Sequence, residues 1–326
     1  MALIRGQYTE LVSPVAGASQ AAVPKPSSPR EVFFGCLRLL RANQWIKNGF
    51  VLAPLLFSRE LRRFASVRLG LWTFLSFCLL SSAMYVLNDW VDRHNDREHP
   101  EKKMRPIACG LVSGPLAAVL VCALLCAAFG ILYPLANPAV AGLAAGYVIL
   151  SCAYTLYLKQ VVILDAFAIA GGFVIRVWAG AYAVGVEASH WVILCTLLLA
   201  LFLAFTKRRH ELTVFGASSA SHRRVLASYS TDLIGQMNLI VCAATVVCYA
   251  LYTVAPETVA RFGTDRLVYS VPFVIYGLFR YLYLSQVKGD GGNPSALLLS
   301  DRPLLACIVL WLAYCLLVIY IFGSQP

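Results

Sequence analysis

The sequence predicts an all-α, polytopic membrane protein, a bundle of nine transmembrane helices with its charged loops gathered at one face. Three observations predict it. Of 326 residues, 60% are hydrophobic and only 13% are charged, whereas soluble domains carry ~45–50% apolar and ~25% charged residues. The apolar residues come in long runs, such as 69–87, 115–135, 191–205 and 303–322, each near the ~20 residues that a helix needs to cross a bilayer. The polar residues fall between those runs, one span apart. Together these exclude a soluble enzyme and a disordered scaffold.

Residues 1–30 are rich in Ala, Ser, Pro and Val and lack the basic stretch and unbroken apolar core of a signal peptide. They are expected to form a flexible cytoplasmic tail, with residues 31–326 as one transmembrane catalytic domain. Hydropathy places the nine spans at about 36–57, 68–89, 114–134, 138–158, 161–183, 190–206, 233–255, 267–285 and 303–323. The loops after even spans, 90–113, 207–232 and 286–302, are long and charged, and Lys159 sits at the tight connection between spans four and five. Lys and Arg concentrate on this even-span side, for example at Arg93, Arg97, Lys102, Lys103, Arg105, Lys207, Arg208, Arg209, Arg223 and Arg224. The positive-inside rule puts that side in the cytoplasm, giving a multi-pass protein of the inner (plasma) membrane. The first odd-side loop, with Arg59, Arg62, Arg63 and Arg68, runs against the trend.

The net charge of +11 comes from loops between spans, so the expected partners are anionic membrane lipids or a phosphorylated substrate, not nucleic acid. The 11 cysteines lie mostly in apolar runs, without a C-x-x-C pair or a zinc-like His spacing, and are expected to behave as small buried hydrophobes. A homo-oligomer is compatible with the sequence.

The stretch Asn88-Asp89-Trp90-Val91-Asp92-Arg93-His94-Asn95-Asp96 follows the second span directly. Residues three and four apart share a helix face. A helix continuing past the membrane would therefore line up Asn88, Asp92 and Asp96, with Asp89 beside them. Hard oxygen donors at that spacing suit Mg²⁺, which prefers a few carboxylates plus substrate phosphates. Lys102, Lys103 and Arg105 follow within a few residues, and cations beside such a cluster match the remaining oxygens of a diphosphate. Arg176 falls inside the fifth apolar run, so it should face the bundle interior with a carboxylate or an anionic ligand as partner. Lys47 and Asn48 raise the same question in span one. Lys159 and Asp165, six residues apart, could pair with each other. Gly289-Asp290-Gly291-Gly292 lacks the Lys-Ser/Thr of a P-loop and is expected to be a turn.

Asn88-Asp-x-x-Asp92-x-x-x-Asp96, followed by Lys103-x-Arg105-Pro106-Ile107-x-x-Gly110-x-x-Ser113, resembles the first signature of the UbiA-type intramembrane prenyltransferase superfamily. Within it, the chain looks most like the decaprenyl-phosphate phosphoribosyltransferases. That likeness is carried by Gln44-Trp45-Ile46-Lys47-Asn48, Tyr154-x-x-x-Leu158-Lys159, Gly172-Phe173-x-x-Arg176, Lys207-Arg208-Arg209-x-Glu211-Leu212 and Ser300-Asp301-Arg302-Pro303-Leu304. It covers about residue 36 to the end. There are departures. The family's Arg-Pro before the Gln-Trp pair is here Arg41-Ala42-Asn43, so a less kinked entry to span one is expected. Ordinary prenyltransferases of this fold carry a second acidic motif, D-x-x-x-D, after span six, where this chain has Lys207-Arg208-Arg209-His210-Glu211.

The resemblance implies an Mg²⁺-dependent phosphoribosyltransferase that uses phosphoribosyl diphosphate and a polyprenyl phosphate in making sugar donors for the cell envelope. Carried over residue by residue, it implies catalytic Asp89, Asp92 and Asp96, and metal ligands Asn88, Asp92 and Asp96. It implies substrate contacts from Lys47, Asn48, Lys102, Lys103, Arg105, Tyr154, Lys159, Arg176, Lys207, Arg208 and Glu211. Two other readings stay open: prenyl transfer onto an aromatic acceptor, and a non-catalytic carrier of lipid phosphates.

Overall fold

A computed structural model describes residues 28–99, 102–215, 228–288, 292 and 294–323. The expected tail lies outside the described residues except for Ser28–Arg30, as do Arg223, Arg224 and most of the Gly289–Gly292 turn.

Ser28 opens the first helix, α1 (Pro29–Leu39), by accepting the Glu31 N–H on its hydroxyl, with Pro29 at the first helical position where its missing N–H costs nothing. The chain then departs from the single span expected over 36–57. Arg41 takes a left-handed conformation, φ 49° and ψ 50°, and the chain continues as a 3₁₀ helix, Ala42–Leu52, before the short α2 (Ala53–Phe57). The entry is therefore sharply turned even without the proline. Eleven residues of 3₁₀ helix is an uncommon length. Irregular backbone is tolerated at membrane depth where protein surrounds it, and this segment packs between α3 (Phe64–Val91) and α7 (Leu164–Val184).

One face of α3 carries small polar residues that hold it. Asn48 Nδ2 donates to Ser81 Oγ at 3.0 Å, Trp45 Nε1 donates to Ser82 Oγ at 3.0 Å, and Ser82 Oγ donates to the Leu40 carbonyl at 2.7 Å. Tyr85, one turn on, lies under the Arg41 guanidinium at 5.1 Å. Cys78, Ser81, Ser82, Tyr85 and Asp89 thus recur at the helical period and turn one stripe of an otherwise apolar helix toward the first segment.

The remaining elements are α4 (Arg93–Glu98), α5 (Gly114–Leu132), α6 (Pro138–Leu156), α8 (His190–Phe215), α9 (Thr231–Val254), α10 (Pro256–Phe262), α11 (Val271–Gln286), α12 (Pro294–Ser300) and α13 (Arg302–Leu317), the last continuing as a π turn, Val318–Phe322. Ser113, Asn137 and Ser230 cap α5, α6 and α9 with side-chain oxygens, an ordinary start signal. Among the described residues, eight helices are long and apolar enough to cross a membrane; the ninth predicted span is the broken first segment. Asp301 is a cap as well. Its carboxylate accepts the Leu304 N–H at 2.9 Å and two Arg280 bonds at 3.1 and 2.8 Å, so the Ser300–Leu304 stretch of the resemblance has a structural use.

Packing between membrane helices depends on close approach, because lipid offers no hydrophobic drive to separate them from. Accordingly α7, which touches α3, α6, α8 and the 3₁₀ segment, buries Ala166, Ala170, Gly172, Ala179, Gly180 and Ala183. Contacts run from α5 through α3 and α7 to α8, α9, α11 and α13. The end of the chain then returns to the beginning: Arg59 donates to the Ile319 and Phe262 carbonyls at 3.1 and 2.7 Å, and the Tyr320 hydroxyl donates to the Leu56 carbonyl at 3.2 Å. The cysteines are free thiols, most of them at least partly buried, with Cys122 and Cys126 on the exposed face of α5.

Candidate active site

The polar side chains fall into three clusters. The first is the signature itself. α3 stops at Val91 and α4 begins at Arg93, yet the Asp92 N–H still donates to the Asn88 carbonyl and the Asp96 N–H to the Asp92 carbonyl, both at 2.9 Å. The helical register is therefore kept through the break. The acidic residues nonetheless form two rows instead of the one stripe expected from the sequence. Asp89 and Asp96 face the same way because seven residues make nearly two turns, and Arg105 Nη1 donates to both, at 2.9 and 2.7 Å. Asn88 and Asp92 face the α6–α7 connection. There Asn88 Oδ1 accepts the Thr155 hydroxyl at 3.5 Å and Asp92 pairs with Lys159. Arg41 Nη2 donates to both oxygens of Asp89 at 2.7 and 2.8 Å. Burial pushes the Asp96 carboxyl above the usual carboxylate range, against the downward pull of Arg105.

The loop after α4 is shaped to return Arg105 to these carboxylates. Arg97 Nε donates to the Ala108 carbonyl at 2.9 Å, and the Val112 N–H donates to the Pro106 carbonyl at 2.9 Å across a turn in which Gly110 has φ 79°. That conformation favours glycine, which lacks the Cβ that would clash. Lys102 is half-buried and Lys103 is exposed.

The second cluster ties α7 to α8. Asp165 and Arg208 are fully buried, and Arg208 Nε donates to Asp165 Oδ2 at 2.7 Å, Nη1 to Glu211 Oε2 at 2.6 Å and Nη2 to the Tyr154 hydroxyl at 3.4 Å. Lys207 Nζ lies 3.9 Å from Glu211 Oε1 and is 44% exposed at its side chain, so it remains accessible to an anion. The pairing weighed for Lys159 and Asp165 resolves differently: Lys159 reaches Asp92 and Asp165 reaches Arg208.

The third cluster surrounds Arg176, which faces the interior as expected. Of the carboxylate or anionic ligand expected as its partner, no carboxylate is found among the described residues; its protein partners are neutral: Asn48 Oδ1 at 2.7 Å, the Gly172 carbonyl at 2.8 Å and the Tyr147 hydroxyl at 3.0 Å, with the Tyr147 ring 4.7 Å away. Among the described residues Arg176 makes no ion pair. Lys47 lies within electrostatic reach of Arg176, Arg41 and Lys207, and Tyr85 and Tyr154 border the same region. Arg41 and Lys207 are balanced by Asp89 and Glu211, whereas Lys47 and Arg176 have no ion pair among the described residues and add a positive potential that concentrates anions.

Whether the acidic rows fit a divalent cation can be judged from Arg105. One of its nitrogens sits between Asp89 and Asp96, so a positive charge already bridges those two carboxylates. Among the described residues no three His, Cys, Asp or Glu side chains converge. Asn88 and Asp92 in one row and Asp96 in the other are donors of the type that Mg²⁺ takes together with water and phosphate oxygens, so the donor chemistry fits, and Arg105 must release Asp96 for both rows to share one ion. Reasoning on the sequence missed Arg41 and Tyr147 and gave Asp165 little weight. The only signal for Arg41 was its retention in the departed Arg-Pro position; its partner is 48 residues away.

The model of the UbiA prenyltransferase family matches residues 51–300. The chain is similar to the decaprenyl-phosphate phosphoribosyltransferase of Corynebacterium glutamicum, with 30% identity over 91% of this chain and 90% of that one. It is 31% identical to the enzyme of the same name from Mycolicibacterium smegmatis, over 90% and 95% of the two chains. Its fold matches the structure of a UbiA homolog from Archaeoglobus fulgidus bound to GPP and Mg²⁺, with a TM-score of 0.67 at 20% identity, covering 88% of this chain and 100% of that one. The chain belongs to the UbiA prenyltransferase family, and it is a membrane-embedded transferase of that superfamily.

Proposed function

We propose that this chain transfers 5-phosphoribosyl from phosphoribosyl diphosphate to a polyprenyl phosphate of the decaprenyl type, releasing pyrophosphate at the cytoplasmic face of the inner membrane, in the supply of cell-envelope sugar donors. The observation that carries this reading is the end of α8. Where a site for prenyl diphosphate alone would carry a second pair of carboxylates, this chain has Lys207-Arg208-Arg209-His210-Glu211, and Lys207 is half-exposed beside the Lys47–Arg176 basin. A donor with a 5-phosphate besides its diphosphate calls for cations there. The names of the Corynebacterium and Mycolicibacterium relatives support the same reading.

In the reaction, the C1–O bond to diphosphate breaks and a C1–O bond to the acceptor phosphate forms. The acceptor oxygen is already anionic, so no general base is needed. Asn88, Asp92 and Asp96, with Asp89 adjoining, would hold Mg²⁺, whose charge would offset that of the departing diphosphate. Lys102, Lys103 and Arg105 neutralise the remaining oxygens of that diphosphate; such preorganised charge is commonly the largest catalytic contribution. Arg208, locked between Asp165 and Glu211, holds α8 against α7 so that Lys207 and Lys159 are presented to the 5-phosphate. Lys47 and Arg176, deeper, are left for the acceptor phosphate. The lipid tail runs between apolar helices, at ~0.8 kcal/mol per buried CH₂.

The test is transfer of label from radiolabelled phosphoribosyl diphosphate into the organic phase by purified protein with decaprenyl phosphate and Mg²⁺. Transfer that stops with EDTA is expected. Failure with several acceptor lengths, together with prenylation of an aromatic acceptor by prenyl diphosphate, would replace this reading. Lys207→Glu is expected to raise the KM for phosphoribosyl diphosphate about tenfold, roughly 1.4 kcal/mol, while the KM for the lipid stays within about twofold. Equal effects on both substrates in initial-rate kinetics would count against the 5-phosphate role.

A further inference from the structure

Between α6 and α7 the chain makes a 3₁₀ turn, Leu158–Gln160, and then reverses at Ile163. Ile163 has φ 69° and ψ −47°, and the Leu164 N–H donates across it to the Val162 carbonyl at 2.8 Å. This is a γ-turn with positive φ, a rare and strained conformation. Among the described residues four others than glycine have positive φ, and Ile163 is the one that is β-branched. A β-branched residue holds such a conformation only where its surroundings over-determine it.

The grip on Ile163 comes from far along the chain. Its N–H donates to the hydroxyl of Tyr229, which in turn donates to Asp165 Oδ1 at 3.2 Å. The other Asp165 oxygen is taken by Arg208. Tyr229 is 6% exposed, Asp165 0% and Arg208 1%, so the bracket is buried and braced on both sides. Four residues before Ile163, the same short connection carries Lys159, whose ammonium pairs with Asp92 of the signature.

We infer that Tyr229 is a positioning residue for this site: its hydroxyl, bridging the Ile163 N–H and the Asp165 carboxylate, holds the strained turn that fixes Lys159 against Asp92. The role of Lys159 toward the phosphates of the donor rests on the proposed function; the tether itself does not. Tyr229→Phe removes one oxygen and keeps the ring that packs against Ala166, Leu212 and their neighbours, so the fold is preserved.

The experiment is a double-mutant cycle of Tyr229→Phe with Lys159→Gln in the full chain, in nanodiscs, accompanied by amide hydrogen exchange. Tyr229→Phe alone is expected to lower kcat/KM for phosphoribosyl diphosphate about tenfold, leaving the KM for decaprenyl phosphate within about twofold. In the Lys159→Gln background the same change is expected to cost less than about twofold, because the residue it positions is gone. Peptides covering residues 160–166 should exchange about tenfold faster in Tyr229→Phe. An equal loss in both backgrounds, no loss in the wild-type background, or unchanged exchange overturns the inference. If the wild-type chain transfers no phosphoribosyl, the donor reading falls and takes the Lys159 half of the inference with it; if Lys159→Gln keeps full activity, the Lys159 half alone is overturned; in both cases exchange still decides the tether.

Discussion

Asp92→Ala is expected to abolish transfer, with a loss on the order of 10³-fold, about 4 kcal/mol of transition-state stabilisation, in a protein that still inserts and folds. The two halves of that expectation have separate causes. Asp92 is the signature carboxylate that is partly exposed, at 23%, and its partner Lys159 is at 15%. A pair that is only partly buried costs less to break than the ~3–5 kcal/mol of a fully buried one. Its removal therefore takes a proposed oxygen donor from the departing diphosphate at a smaller structural cost. Asp89 would be a poor choice for the same experiment. It is 2% exposed and receives both Arg41 and Arg105, and stripping one partner from a buried ion pair costs ~3–5 kcal/mol, so lost activity could not be told from lost fold. Initial rates and thermal unfolding by intrinsic fluorescence, measured on the same nanodisc preparation, separate the two quantities. A folded Asp92→Ala protein with near-normal turnover would remove the metal assignment.

The spans were legible because a membrane demands ~20 apolar residues in a row, and eight such helices are present among the described residues. Their ends were less so. The sixth apolar run fades at about residue 206, yet the span continues as helix to Val214, because backbone hydrogen bonding does not stop where polarity begins. The first segment has the hydropathy of a span, and hydropathy does not distinguish an α-helix from the 3₁₀ helix that Trp45 and Asn48 pin to Ser82 and Ser81. The acidic signature was visible from spacing, but its division into two rows needed Arg105 and Lys159 to reveal which face each carboxylate takes. Arg41, Asp165 and Tyr147 were hardest to find. Each is defined by a partner 29 to 48 residues away, and no local pattern encodes such a pairing.

Gly180→Ala is expected to be severely damaging for the addition of a single methyl. A Cβ at Gly180 would lie 1.9 Å from the Val51 carbonyl oxygen and 2.8 Å from its carbon. Those atoms are backbone, so no side chain can rotate out of the way, and either α7 or the 3₁₀ segment must move. Small residues exist at such helix crossings to allow this approach. The displacement reaches the site directly, because Arg176 lies one helical turn before Gly180 and Asn48 lies three residues before Val51, and these two side chains meet at 2.7 Å. Pushing the backbones apart at one level opens the Asn48–Arg176 contact at the next and leaves a guanidinium inside the bundle with fewer partners. Overpacking typically costs ~1–3 kcal/mol and more where nothing can yield, so a loss of about 3 kcal/mol is expected, seen as a lower unfolding temperature and a poor yield of monodisperse protein. Gly49→Ala, on the same segment, is the matched control. Nothing lies within 4 Å of its added methyl, and relief of glycine's unfolded-state entropy should leave it neutral or slightly stabilised. A Gly180→Ala protein that unfolds at the wild-type temperature would mean that α7 and the 3₁₀ segment do not approach this closely, and the placement of Arg176 against Asn48 would go with it.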